Sequence, residues 1–349
     1  MDFPILDLLD DDACYQQLVA WLHPEGMSCP DCLRTDSLRI HRHRREPVVD
    51  YRCGHCGRVF NAFTGTALQG LHYRPGAILL ILRGIAHGVP TAQLARELDC
   101  DRGHLLALRH QLQDLAFRFR HRLPLDDPVV EADELYQNAG EKGVPHLDPL
   151  DPPRRRANQV PGHGSWDNDR PPVCGVVGRE SGQLRLRVEH HADGPTLCEG
   201  VRRATWPLTI VNTDEWPSYN GLPAVGRRHV TVCHAAGEWA RDDDGDGIRE
   251  VHNNTAEGIW TGLRNFLRPF RGVNKVYLYQ YAVIFEWGHN IKRVTGEFIR
   301  ALVGLAARER EGSPLACPSC IPGTPVLYSW HARSAFGGCL LYTSPSPRD

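Results

Sequence analysis

Two short cysteine knuckles constrain this chain more than any other feature. Cys29-Pro-Asp-Cys32 and Cys53-Gly-His-Cys56 are separated by residues 33–52. Each CxxC turn delivers two sulfurs from one tight bend, and two such turns satisfy a tetrahedral zinc ion. A segment this small cannot build a sufficient core, so bound metal supplies its folding free energy. The spacer suits a pair of strands. A zinc ribbon is therefore expected over 27–70, with Cys29, Cys32, Cys53 and Cys56 holding structural Zn2+. Such a site is closed, leaves no position for a substrate, and has no catalytic task. The chain has 12 cysteines; the paired knuckles favour metal over disulfides and a reducing, cytoplasmic setting.

Net charge is −2 with His neutral, which excludes a uniformly basic nucleic-acid binder. The charge is uneven, however. Arginines 34, 39, 42, 44, 45, 52 and 58 crowd the ribbon against Asp36, Glu46 and Asp50. Arg42, Arg44, Arg45 and Arg58 are candidates for contacting DNA phosphates, since local patches govern such attraction; the alternative is a set of solvated faces. Apolar residues make up 41% of the chain, enough for real cores. No apolar run approaches the ~18 residues of a membrane span, and the acidic start lacks the pattern of a signal peptide.

Periodicity divides the remainder. Residues 1–26 read as a short helical lead. Residues 71–124 read as helical, with helices at 91–98 and 102–119 across a tight break, a helix-turn-helix-like arrangement in which Arg102 and Arg109 would meet DNA. An ordinary helical hairpin serving as a spacer is the other reading. Residues 125–310 show strands first and helices after, the pattern of an α/β layered domain. Strands are expected at 125–135, 173–177, 183–190, 208–211 and 229–233, with helices at 196–204, 254–267 and within 277–306. Residues 137–172 are rich in Pro, Gly, Arg and Asp and form a long loop insertion; Arg154, Arg155 and Arg156 would contact DNA there. The tail, 311–349, is poorly patterned, its lone Cys317-Pro-Ser-Cys320 lacks a second pair to complete a zinc site, and 337–349 reads as foreign to the native gene.

Three acids stand where a metal site could use them. Asp133 lies on an alternating strand, Asp214 follows an apolar strand, and Glu257 lies near a helix start. Hard divalent cations take oxygen ligands, and paired ions need such a cluster. Spacing alone does not select these acids from the many others. Asp242-Asp-Asp-Gly-Asp-Gly247 resembles a calcium loop, but its twelfth position is Asn253 rather than a bidentate Glu, so an acidic turn is expected. His252 is expected to hydrogen-bond behind the site rather than to bind metal.

The chain resembles the zinc-ribbon DDE transposases of bacterial insertion sequences. The resemblance covers about residues 27 to 295 and is carried by the two knuckles, Thr64-Gly-Thr66, Val130-Glu-Ala-Asp-Glu134, Ile210-Val-Asn-Thr-Asp214 and Val251-His-Asn-Asn-Thr-Ala-Glu-Gly-Ile-Trp260. It implies an RNase-H-like mixed-sheet catalytic domain, preceded by the ribbon and the helical segment. It implies that Asp133, Asp214 and Glu257 hold two Mg2+ (or Mn2+) ions, with His252, Asn254 and Arg264 as accessories. Arg264 stands where many relatives carry Lys; it keeps the charge and changes the geometry. The implied activity is cleavage at terminal inverted repeats and transfer of the freed 3′-hydroxyl to target DNA, by a homo-oligomer that pairs two double-stranded DNA ends, with no role for a membrane. A non-catalytic DNA-binding regulator derived from a transposase is the alternative, and a zinc-stabilised protein-interaction module is a third reading.

Overall fold

The computed structural model describes residues 10–120, 122–145, 147–150, 163–291, 299 and 302–303. Arg154, Arg155, Arg156 and the tail at 311–349, with Cys317 and Cys320, lie outside them. The ribbon is a three-stranded antiparallel sheet of β1 (Leu38–Arg45), β2 (Val48–Cys53) and β3 (Val59–Phe60). Its two knuckles close alike. Cys29 N donates to Arg34 O and Leu33 N to Cys29 O, both at 2.9 Å, while Cys53 N donates to Arg58 O at 2.9 Å and Gly57 N to Cys53 O at 3.0 Å. The residue after each second cysteine must take a left-handed conformation: Gly57 has φ 76°, and Leu33 adopts φ 60° despite its side chain.

Four helices lie in the first 120 residues: α1 (Asp11–Leu22), α2 (Pro75–Ala86), α3 (Thr91–Glu97) and α4 (Arg102–Phe119). Asp101 ends the break between α3 and α4 and caps α4, its Oδ1 accepting His104 N at 2.7 Å. Leu105, Leu108, Leu112 and Ala116 recur at helical spacing and are buried. They share one core with Ile78, Ile81 and Leu82 of α2 and with Val283, Ile284 and Trp287 of α7 (Leu278–Ile291). Each such large apolar side chain contributes about 1.5–3 kcal/mol on burial.

Arg109 corrects the sequence expectation. It lies inside this core, 0% exposed, with Nη2 donating to Val89 O and its guanidinium 5.5 Å from the Phe270 ring. Burial pulls its pKa down to about 10. Four apolar neighbours along α4 define the inward stripe, and Arg109 falls on its edge, so it braces the helix rather than facing phosphate. Arg102 and Arg42 are exposed. Arg58 faces Asp31 across 3.7 Å, and Arg45 Nη2 donates to Leu71 O at 2.8 Å.

The second half is a five-stranded mixed sheet: β4 (Val129–Tyr136), β5 (Pro172–Gly178), β6 (Leu184–Val188), β7 (Ile210–Thr213) and β8 (Arg228–Thr231), in the order β6-β5-β4-β7-β8. The first three pair antiparallel; β4–β7 and β7–β8 pair parallel. This is the RNase-H-like arrangement. Alternation along β4 sends Val130 and Ala132 to one face, with α5 (Gly194–Ala204), and Leu135 to the other, with α6 (Asn254–Leu267) and α7. The expected helix at 254–267 has those same limits.

Side chains cover the outer edge of β6. Asn290 on α7 accepts Leu184 N at 2.7 Å and donates to Leu184 O at 2.9 Å. Glu286, also on α7, accepts Leu186 N at 2.7 Å, and Arg120 donates to Leu186 O at 3.0 Å. These contacts satisfy backbone groups that would otherwise invite another strand. Among the described residues, no helix is long and apolar enough to cross a membrane.

Candidate active site

β4 ends beside α6, and a cleft of about 450 Å³ opens between them. Asp133, Glu134, Arg170, Glu257, Trp260 and Arg264 are among its lining residues. Glu257 and Arg264, seven residues apart on α6, both reach it because seven residues make nearly two helical turns. Asp133 is tied on both oxygens: Oδ1 accepts Glu134 N at 2.9 Å and Oδ2 accepts the indole Nε1 of Trp260 at 2.7 Å. The ring of Trp260 needs the bare Cα of Gly175, since a Cβ there would lie 2.6 Å from Cη2.

Asp214 follows the end of β7, its Oδ1 accepting Trp216 N at 3.0 Å. Burial, with Glu134 and Asp214 adding repulsion, raises the Asp133 pKa to about 7; the Trp260 hydrogen bond opposes this. Burial likewise raises Asp214. Glu134 is raised by burial and by the charge of Asp214, against a 2.7 Å hydrogen bond from the Tyr219 hydroxyl. Sequence reasoning quoted Glu134 and Trp260 within motifs but gave them no role, and it passed over Tyr219; alternation, which places Glu134 on the α5 face, was the signal available for Glu134. Asp133 and Glu257 thus share one cleft, and Asp214 is close enough to Asp133 to perturb it. Among the described residues, the three carboxylates do not all come within 4.8 Å of one another, as the four ribbon sulfurs do. Asp214, His252 and Asn254 are not among the residues that line the cleft. Asn254 is exposed on the first turn of α6, and His252 Nδ1 lies 3.2 Å from Glu131 Oε1.

Half-buried Asp133 and Asp214, with exposed Glu257, offer hard oxygen donors and surplus negative charge that fit divalent cations. The ribbon cysteines fit zinc: Sγ atoms of Cys29 and Cys56 are 3.4 Å apart and those of Cys32 and Cys53 are 3.6 Å apart. Tetrahedral zinc, about 2.3 Å from each sulfur, needs sulfurs roughly 3.8 Å apart. Backbone N–H groups of Cys56 and His55 and the Ser37 hydroxyl draw the Cys53 pKa down to about 6. The other acidic group, Asp242, Asp244 and Asp246, holds its own turn: Asp242 accepts Gly245 N at 2.6 Å and Gly247 N at 2.9 Å, and Asp246 accepts Ile248 N at 2.7 Å.

Residues 124–290 match the family described as the ISXO2-like transposase domain. This segment is similar to a transposase domain of the insertion-sequence type. A longer similarity is to an uncharacterized protein in transposable element ISH50 of Halobacterium salinarum, 27% identical over 277 residues, covering 78% of this chain and 88% of that protein. Two solved structures align distantly. The HTLV-2 integrase catalytic core domain in complex with magnesium aligns at TM-score 0.27 and 13% identity, over 50% of this chain and 92% of that one. The Mos1 transposase paired-end complex with the left transposon end aligns at TM-score 0.23 and 11% identity, over 65% and 76%. The strand order, rather than these alignments, carries the RNase-H-like assignment of this domain.

Proposed function

We propose that this chain is a cytoplasmic transposase that binds the terminal inverted repeats of an insertion sequence and carries out divalent-metal-dependent strand cleavage and strand transfer. The observation that carries this reading is the meeting of Asp133 and Glu257 in one cleft, with Asp214 near enough to raise the Asp133 pKa. Asp133, Asp214 and Glu257 would hold two Mg2+ or Mn2+ ions, which supply charge neutralisation at the reacting phosphate and activation of the attacking oxygen. Trp260 fixes one oxygen of Asp133, and Arg264 presents a cation to the DNA phosphate at the cleft mouth. Cys29, Cys32, Cys53 and Cys56 hold a structural zinc ion, and Arg42 and Arg58 of the ribbon and Arg102 of α4 face the duplex. Catalysis by such a site is mostly positioning and electrostatics. Pairing of two DNA ends calls for a homo-oligomer on DNA.

The test is a nicking and strand-transfer assay on duplexes carrying the terminal repeats of the element that encodes the chain. Wild type should nick with Mg2+ or Mn2+, whereas Asp133→Asn, Asp214→Asn and Glu257→Gln should each abolish nicking and keep DNA binding. Binding without nicking by wild type would instead make this chain a DNA-binding regulator.

A further inference from the structure

Beneath the acids lies a second polar layer, and its centre is Glu131. It is 0% exposed on β4, two residues before Asp133 and on the same strand face. Its Oε1 accepts from Arg179 Nε at 2.9 Å and from Thr255 Oγ1 at 2.8 Å; its Oε2 accepts Ala256 N at 3.0 Å. Thr255 and Ala256 form the first turn of α6, so a β4 carboxylate caps the helix that bears Glu257. An anion there also meets the positive end of the helix dipole.

The same layer grips the chain entering α6. Arg179 donates to Glu250 O and, at 2.9 Å, to His252 O. Asn212 Nδ2 lies 3.4 Å from that His252 carbonyl. Glu131 and Asn212 are register partners on the parallel strands β4 and β7. Each candidate acid therefore has a network member two residues upstream: Glu131 before Asp133, Asn212 before Asp214, Thr255 before Glu257. A carboxylate this buried demands its partners, so slippage of α6 along β4 would strand a charge.

We infer that Glu131 is a positioning residue, which locks α6 to β4 and β7 and so sets the spacing of Asp133, Asp214 and Glu257 for divalent cations. This rests on the proposed role of the three acids. His252 joins through its 3.2 Å approach to Glu131 Oε1 and its backbone carbonyl, and needs no contact with the cleft.

The experiment measures Mn2+ binding to the full chain by the loss of the free-ion electron paramagnetic resonance signal, beside thermal unfolding and Mn2+-dependent nicking. Asp133→Asn defines the share of binding that belongs to the cleft, apart from the acidic turn. Glu131→Gln keeps the shape and loses the charge, and should weaken cleft affinity about 10–100-fold. Thr255→Val removes one hydrogen bond from an exposed helix start, folds normally, and should weaken it about fivefold. Raised Mn2+ should restore nicking by both variants. A merely structural role would lower the unfolding temperature and leave the affinity of the folded chain unchanged. Normal affinity in both variants, with Asp133→Asn impaired, would overturn this inference alone. Unchanged affinity in Asp133→Asn would overturn the reading of the acids, and this inference with it.

Discussion

The indole N–H of Trp260 donates to Oδ2 of Asp133 across 2.7 Å, linking α6 to β4 at the floor of the cleft. That bond joins residues 127 positions apart and restrains one side chain that metal would otherwise have to order. Trp260→Phe keeps the ring and removes the donor. Hydrogen bonds to charged groups contribute about 1.5–3 kcal/mol, so single-turnover nicking should slow about tenfold or more while duplex binding stays unchanged. An unaltered nicking rate would show that the bond does not position Asp133.

Gly175 makes the indole position available. It is the register partner of Asp133, and any Cβ would meet Trp260 at 2.6 Å and Leu186 at 3.3 Å. Gly175→Ala should therefore destabilise the chain by about 1–3 kcal/mol, read as a lower urea midpoint. A midpoint equal to wild type would mean the ring relaxes freely.

Glu286 should give stability a pH dependence. Burial raises its pKa to about 7, despite Arg120, the Leu186 N–H and Arg185. An unfolded Glu titrates near 4.3, so the folded state prefers the proton. Its contribution is fully present below about pH 4 and is lost as pH rises toward 7. Melting temperatures of wild type and Glu286→Gln, compared at pH 5 and pH 8, should diverge in favour of the variant at the higher pH. A constant difference would assign Glu286 an ordinary titration.

Metal removal should act locally. The ribbon core is Cys29, Cys53 and Phe60 with a few partly buried neighbours, too small to hold three strands alone. Stripping zinc with 1,10-phenanthroline should abolish amide-exchange protection in β1, β2 and β3 while β4 and β5 keep theirs. Retained protection in β2 would argue that the strands stand without zinc.

Local chemistry was legible in the sequence. The two knuckles announced four converging sulfurs, and the expected helices at 102–119 and 254–267 coincide with α4 and α6. The motif residues Asp133, Glu257 and Arg264 were also readable, and the fold brings all three to one cleft. Arg109 was misread, because charge and helix position suggest a surface and only the packing of α4 against its neighbours reveals an interior. Alternation put Glu131 and Glu134 on opposite faces of β4, but only the tertiary structure supplied their partners, Ala256 N for one and the Tyr219 hydroxyl for the other. Asn290 and Glu286 gave no hint that they would finish the edge of β6.

By itself the sequence determined what short-range geometry encodes: ligand spacing within a turn, caps within a helix start, alternation within a strand. Tertiary structure alone decided which carboxylates are buried, which are paired, and which face an open cleft. The physical reason is distance along the chain. Asp133 needs Trp260, and Glu131 needs Thr255 and Ala256, all more than a hundred residues away, and those partners arrive only when α6 docks on the sheet.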